Sequence, residues 1–246
     1  MTDAYRADLA YIHDAGFGHF ARHAAADLLN ALRMQNINTG LVVDLGCGSG
    51  ITAEVIAAAG YAVLGIDISP SLVTLAQKRV PAGQFRVGSF LDRPVPPCVA
   101  VTAIGECFNY AFDELNSSAA RLQVFQRIYQ ALAPAGMFLF DVAEPGRVPG
   151  GATFRTYTEG VDWAVLMTAE EHPQEQRLTR WITTFRQVGE LYRRDREVHQ
   201  LHLLERSALL EQLQAVGFHA QIIERYGQVA FAPGHIGFLV RKQLAA

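Results

Sequence analysis

Short apolar runs alternate with stretches in which apolar residues recur every three or four positions, and this alternation governs roughly the first 145 residues. The spacing predicts a helix over 19–34, where Phe20, Ala24, Leu28, Leu29 and Leu32 share a face. It then predicts a strand over 41–45, a helix over 51–60 closed by Gly60, and a strand over 61–67. Ser69 and Pro70 read as an N-cap and first helical residue, with Leu72, Leu75 and Ala76 facing inward. Strands over 85–89, 98–104 and 137–143 follow. Between the last two, Ser117 or Ser118 caps a helix that carries Leu122, Phe125, Ile128, Tyr129 and Leu132. The strands are continuously apolar rather than alternating, so both of their faces are buried. That predicts an α/β protein whose parallel sheet is covered by helices on both sides.

The pattern changes at Glu144, where EPGRVPGG reads as a turn-rich linker. Segments around 154–158, 163–169, 178–185 and 191–203, parted by HPQEQ and QVGE, predict an antiparallel β meander. Trp163 and Trp181 are expected in its core. The α/β pattern then resumes, with Ser207 capping a helix that ends at Gly217, and with HAQIIERY and IGFLVRK as two final strands. The expected organisation is one α/β domain formed by 1–148 and 205–246, with an N-terminal helical lid. Residues 149–204 form an inserted β subdomain, read as a substrate lid or a dimer interface.

Composition narrows the function without choosing it. Half of the 246 residues are hydrophobic, 18% are charged and the net charge is −3, which favours neither nucleic acid nor an anionic membrane as partner. Arg193, Arg194 and Arg196 cluster, but Asp195 and Glu197 interleave with them, as on a solvated strand. Cys47, Cys98 and Cys107 lack zinc spacing and cannot all pair. No bound metal is expected. No basic flank precedes an apolar stretch at the N-terminus, and no run is long enough to span a membrane, so a cytoplasmic location is expected.

The chemistry centres on VVDLGCGSG, 42–50, between the first strand and its helix. That edge of a parallel sheet is where open α/β folds bind ligands. Missing side chains let a ligand approach the backbone, and the helix N-terminus adds free N–H groups. A dinucleotide fingerprint would need a glycine where Ile51 stands. The D-x-G-x-G-x-G pattern instead resembles motif I of the class I S-adenosylmethionine-dependent methyltransferases. A second acidic strand end, Asp67 in YAVLGIDIS, suits the hydroxyls of a ribose. LAPAGMFLFDVAEPG, 132–146, is similar to the family's turn and fifth strand, so the likeness covers roughly 38–145.

That resemblance implies a Rossmann-like doubly wound sheet of seven strands in the order 3-2-1-4-5-7-6, strand seven antiparallel. It implies S-adenosyl-L-methionine as cofactor, with Gly46, Cys47 and Gly48 wrapping its amino-acid part and Asp44 serving the ammonium side. Asp67 would take the ribose and Ile68 the adenine face. The family commonly has an acidic residue after strand three, where this chain has Ser89; Ser89 and Phe90 are the expected adenine contacts. Gly105 would approach the cofactor from strand four. Tyr11 and His13, in the aromatic segment 10–21 with Phe17, would close over it.

Methyl transfer needs an aimed nucleophile and a route for its proton. At the end of strand four, Glu106 is the candidate orienting group or base, and Asn109 and Tyr110 are candidate substrate contacts. In the meander His199 is offset from His202 by an odd number, so a regular strand sends one of them toward a pocket. His199 is taken as that substrate contact. Nucleic-acid amino-methyltransferases carry Asn/Asp-Pro-Pro-aromatic after strand four, but GECF stands here; Pro97-Cys98 precedes the strand and reads as core. A small-molecule acceptor is therefore expected, methylated at nitrogen or oxygen, as is a possible homodimer. The β insertion is similar to that of sugar-amine and some glycine-type N-methyltransferases. The competing readings are a non-catalytic binder of the cofactor or its demethylated product, and an NAD(P)-dependent oxidoreductase.

Overall fold

The computed structural model describes residues 4–151 and 153–242. The chain opens with helices α1 (Ala7–Gly16) and α2 (Gly18–Met34). Strands and helices then alternate through β1 (Leu41–Leu45), α3 (Ile51–Ala58), β2 (Ala62–Asp67), α4 (Pro70–Arg79) and β3 (Gln84–Val87). They continue through β4 (Cys98–Ala103), α5 (Ser118–Ala131) and β5 (Leu132–Ala143). Four strands follow one another, β6 (Phe154–Glu159), β7 (Trp163–His172), β8 (Arg177–Val188) and β9 (Leu191–His202). The chain closes with α6 (Arg206–Val216), β10 (Phe218–Ile223), the short β11 (Arg225–Tyr226) and β12 (Val229–Ala230), and β13 (His235–Lys242).

The main sheet has the order β3-β2-β1-β4-β5-β13-β10. The first five of these strands run parallel, and β13 is antiparallel to both neighbours. This is the 3-2-1-4-5-7-6 arrangement. One face carries α2 and α3, whose Leu28, Leu32 and Ile56 pack on Val42, Ala100 and Leu139. The other face carries α5 and α6, where Phe125, Ile128 and Leu213 meet Phe108, Phe138 and Phe238. Cys98 lies in that second layer, as core. Ser69 caps α4 by accepting from Leu72 N at 3.3 Å, and Ser117 caps α5 by accepting from Ala120 N at 3.2 Å.

Three boundaries differ from the sequence expectation for physical reasons. Strand β5 begins at Leu132 because the turn residue Ala135 takes a positive φ of 62° while the register to β4 shifts between Cys98 and Ala100. Helix α6 starts at Arg206, not after Ser207, because Arg206 pairs with Glu144 and Leu204 N donates to Ala143 O at 2.9 Å. In the second sheet, order β6-β7-β8-β9, Trp163 is buried with Ile12 and Val165. Trp181 is only half-buried, because strand alternation puts it on the outer face opposite the exposed Val198.

Candidate active site

Strand ends β1, β2 and β4 converge at one edge of the main sheet. Register sets the first contact. Asp44 on β1 lies beside Thr102 on β4, whose hydroxyl donates to Asp44 Oδ1 at 2.6 Å. Asp44 Oδ2 is buried with no hydrogen-bond partner among the described residues. Burial pushes this carboxyl up to about 7, against the Thr102 bond and with help from Asp67.

The glycine turn is folded onto β2 by its own amides. Gly46 N and Cys47 N both donate to Ile66 O, at 2.7 and 3.1 Å. Gly48 N donates to Asp67 Oδ2 at 2.9 Å, and Ser69 N donates to Asp67 Oδ1 at 2.8 Å. Asp67 therefore ties the turn to the start of α4, and each oxygen keeps a lone pair for a further donor. Burial raises its carboxyl, while those backbone donors hold it down. Gly46 and Gly48 answer different needs. Both have positive φ, 70° and 54°. A Cβ on Gly46 would strike Cys107 Sγ, whereas one on Gly48 would meet nothing within 4 Å. The first glycine serves packing; the second leaves a bare backbone facing open space.

At the end of β4 the turn is held from beneath. Asp141 on β5, fully buried, accepts from Gly105 N at 2.9 Å and Glu106 N at 2.8 Å. It also receives Tyr226 Oη at 3.1 Å and contacts His235 Nε2 at 2.8 Å. This clamp holds Glu106 at φ 62°, an uncommon backbone for a non-glycine residue. It also presents the bare Gly105, where a Cβ would meet nothing within 4 Å. The sequence pattern shows Asp141 only as one more position of an apolar strand.

These strand ends open into a cavity of about 270 Å³. Of the expected cofactor residues, His13, Gly46, Gly48, Asp67, Ile68, Ser89, Phe90 and Gly105 line it together. Asp44 and Cys47 do not line it; they are buried behind the turn. Tyr11 belongs elsewhere: its hydroxyl donates to Asp162 at 2.7 Å and Arg186 lies 3.7 Å over its ring, so it ties α1 to the second sheet. The reason is helical spacing, which puts His13 and Tyr11 on different faces of α1.

At the other end of the cavity Tyr110 contributes its ring, but Asn109 does not reach it. Asn109 is fully buried, with Nδ2 on Ala143 O and His202 O and Oδ1 on Ala143 N, so its amide is consumed in joining β5 to β9. Glu106 points away from the cavity into two guanidiniums, 2.6 Å from Arg180 and 3.1 Å from Arg147. Burial alone would raise its carboxyl, but the two arginines prevail and hold it well below the carboxylate range. A carboxylate this firmly ionised is a poor proton acceptor near neutrality, so the expectation of Glu106 as a base is corrected. His199 stands one layer back, 2% exposed, with Nε2 2.8 Å from Glu197 and its ring against Tyr5, Tyr110 and Phe112.

Sequence reasoning missed several lining residues. Tyr5 is held by Glu197, which accepts its N–H at 2.7 Å, and by Ser69, whose hydroxyl donates to Tyr5 O at 2.9 Å. Its hydroxyl lies 2.7 Å from that of Tyr110. Burial pushes the Tyr5 phenol up to about 12, so it stays a neutral hydroxyl. Asp113, in the loop after β4, also lines the cavity and accepts from Ser89 Oγ at 2.5 Å. An acid thus stands beside Ser89, brought by the loop after β4 and not by the residues just after β3. No local spacing signals either residue; only the convergence of distant segments brings them in.

The residues fit S-adenosylmethionine. Two bare glycines and an acidic strand end form the cradle, and His13 Nδ1 is buried without a partner among the described residues, ready to accept an N–H. Burial lowers the His13 imidazole from its usual value, so it is neutral at pH 7 and can act as that acceptor.

Comparison with known proteins agrees. The model of a methyltransferase domain matches residues 42–136. A Geobacillus protein that carries a methyltransferase name is 28% identical over 187 residues, spanning 72% of this chain and 73% of its own. Trans-aconitate 2-methyltransferase of Paracidovorax citrulli is 29% identical over 124 residues, half of this chain and 46% of its own. CalS10, an amino pentose methyltransferase from Micromonospora echinaspora solved with S-adenosylmethionine bound, shares the fold with a TM-score of 0.76. That match has 19% identity and covers 95% of this chain and 96% of that one. The motif, the sheet order and the cradle converge with these matches: residues 42–136 match a methyltransferase domain, and the chain has the fold of S-adenosylmethionine-dependent methyltransferases.

Proposed function

We propose that this enzyme methylates a nitrogen or oxygen of a small-molecule acceptor, with an amino sugar as the best-supported class. The single observation that carries this reading is the aromatic lining of the cavity. Tyr5, Tyr110, Phe112 and Phe17 line it, and no lysine or arginine does among the described residues. A small ring with hydroxyl and amine groups suits these aromatic faces and the paired phenols. The amino pentose methyltransferase named above has the same overall fold, which supports the class.

S-adenosylmethionine, when bound, supplies an electrophilic methyl on a sulfonium. Asp67 would hold the ribose hydroxyls, Ile68 and Phe90 the adenine faces, and Asp113 with Ser89 the adenine amino edge. Gly46, Gly48 and Gly105 let the methionine part lie against backbone. Asp44, behind the turn, supplies negative charge toward the ammonium. At the acceptor end Tyr5 and Tyr110 orient hydroxyls, and their rings favour a cationic centre nearby. His13, neutral and with Nδ1 lacking a hydrogen-bond partner among the described residues, would take a proton from the acceptor. Glu106 fixes Arg147 and Arg180 and takes no proton. Residues 149–204 shape the acceptor end by holding the N-terminal segment through Glu197, Asp195 and Arg193.

The test is turnover. S-adenosylmethionine is first titrated calorimetrically, and then amino sugars, simple hydroxylated sugars and tricarboxylates are screened by mass for a gain of one methyl. Methylation of amino sugars is the expected result. Methylation of tricarboxylates alone, in line with the trans-aconitate relative, would overturn the acceptor class and leave the enzyme class intact.

A further inference from the structure

A second cleft, about 220 Å³, lies across β9 from the cavity. His199 of that strand packs behind the cavity's Tyr5 and Tyr110, and His202, at an odd offset from it, lines the cleft. The cleft is bounded by the start of α5, the turn at 175–176 and Leu203–Leu204. Its lining is polar, with Arg121, Glu175 and His202 as its titratable side chains.

Arg121 is the group that calls for explanation. It lines the cleft at 9% exposure, and its Nε has no hydrogen-bond partner among the described residues. Its Nη1 donates to Asn116 Oδ1 at 2.8 Å, a neutral acceptor. Burial pulls the guanidinium below its usual value and no carboxylate offsets this. Arg121 also sits in the opening turns of α5, at the positive end of the helix dipole, which disfavours a cation. A buried cation in that position, without a counter-charge, is costly unless something anionic joins it.

The neighbours point the same way. Ser117 Oγ serves Ala120 N, while the amides of Ser118 and Ala119 have no intrahelical acceptor. Arg177 is a second guanidinium; it forms an ion pair with Glu175 at 2.6 Å, the one carboxylate lining the cleft. His202 is held below the usual imidazole value by burial, then by Arg121 and Arg177, and so is neutral at pH 7. In the cleft, Arg121 and the helix terminus stand with one carboxylate, Glu175, whose charge Arg177 already pairs.

We propose that this cleft binds a compact oxyanion, a phosphate or carboxylate group, on Arg121 and the first turn of α5. Binding there reaches the active site through Asn116. Its Oδ1 accepts from Arg121, and its Nδ2 donates to Phe108 O and Tyr110 O, both at 2.9 Å. The ligand would therefore bear on the loop that carries Tyr110.

The test follows the His202 ring by NMR in the full chain, its resonance assigned with His202→Gln. The pH titration is run in chloride, then in inorganic phosphate or succinate at equal ionic strength. A bound oxyanion neutralises the field of Arg121, so a saturable rise of about half a pH unit in the His202 midpoint is expected. Arg121→Gln should abolish that rise and Arg121→Lys should keep part of it. A response to phosphate alone, to succinate alone or to both supports the site and identifies the anion group. No response to either, or an equal response in Arg121→Gln, overturns it. If Arg121→Gln does not fold, the wild-type titration against its chloride control decides alone.

Discussion

The two ends of the cavity are built by different means. At the cofactor end, Gly46, Gly48, Asp67, Ile68 and Ser89 sit at the carboxyl edges of three neighbouring strands, and backbone amides do much of the work. At the acceptor end, Tyr5, Tyr110, Glu197 and His199 come from the N-terminus, the loop after β4 and the last strand of the second sheet. They meet through side-chain bonds across long stretches of chain. The first end is a property of a fold shared with relatives that have different acceptors. The second is a property of this chain, and under the proposed function it would set what the enzyme accepts.

The comparison can be broken most decisively at Asp67. Asp67→Ala would remove the proposed ribose acceptor and release both the glycine turn and Ser69. Cofactor Kd should rise on the order of 100-fold by calorimetry, the loss of two or more charge-assisted hydrogen bonds. Less than tenfold would mean that the strand end does not hold the cofactor.

Glu106→Gln tests the correction made above. It leaves Arg147 and Arg180 without their counter-charge, so a stability loss of about 3 kcal/mol is expected in denaturant unfolding. The shape of the pH–rate profile should not change. Loss of one limb of that profile would restore Glu106 as the base.

Asp44 gives a pH signature. Its folded carboxyl lies at about 7, above the usual 3.8, so the folded state binds the extra proton. The Asp44 contribution to stability without ligand is therefore fully present below pH 4. It falls as pH rises toward 7, by up to a few kcal/mol at about 1.4 kcal/mol per tenfold change in proton affinity. A cationic cofactor prefers the ionised form, so affinity should rise up to about tenfold between pH 6 and pH 8. Asp44→Asn should flatten both curves, measured by thermal unfolding and calorimetry; an affinity that is flat in wild type would refute the link.

The smallest effect probes the acceptor end. Glu197→Gln loosens Tyr5, Arg6 and His199 without touching the cofactor cradle. Acceptor KM should rise about fivefold with cofactor Kd unchanged, a loss near 1 kcal/mol. An equal change in both would show that the two ends are not separately built.

Legibility in the sequence follows the same division. The β-α alternation, the caps at Ser69 and Ser117 and the glycine turn were all readable, because each rests on residues adjacent in the chain. Tyr11, Asn109 and Glu106 were near the site in sequence yet face elsewhere. Which side of α1 turns inward, and which partners claim an amide or a carboxylate, depends on segments far away in the chain. Asp113 and Tyr5 were missed for the same reason in reverse.

By itself, then, the sequence determined the doubly wound sheet, its cofactor edge and the residues that must stay small or acidic there. Hydrophobic periodicity and backbone geometry are local, and they leave little choice. Only the tertiary structure decided that Glu106 is a paired anion, that Asp113 reaches Ser89 from the loop after β4, and that Arg121 is buried against Asn116 rather than a carboxylate. Each of these depends on which charges meet after folding, and a charge takes its role from its neighbours and its distance from water.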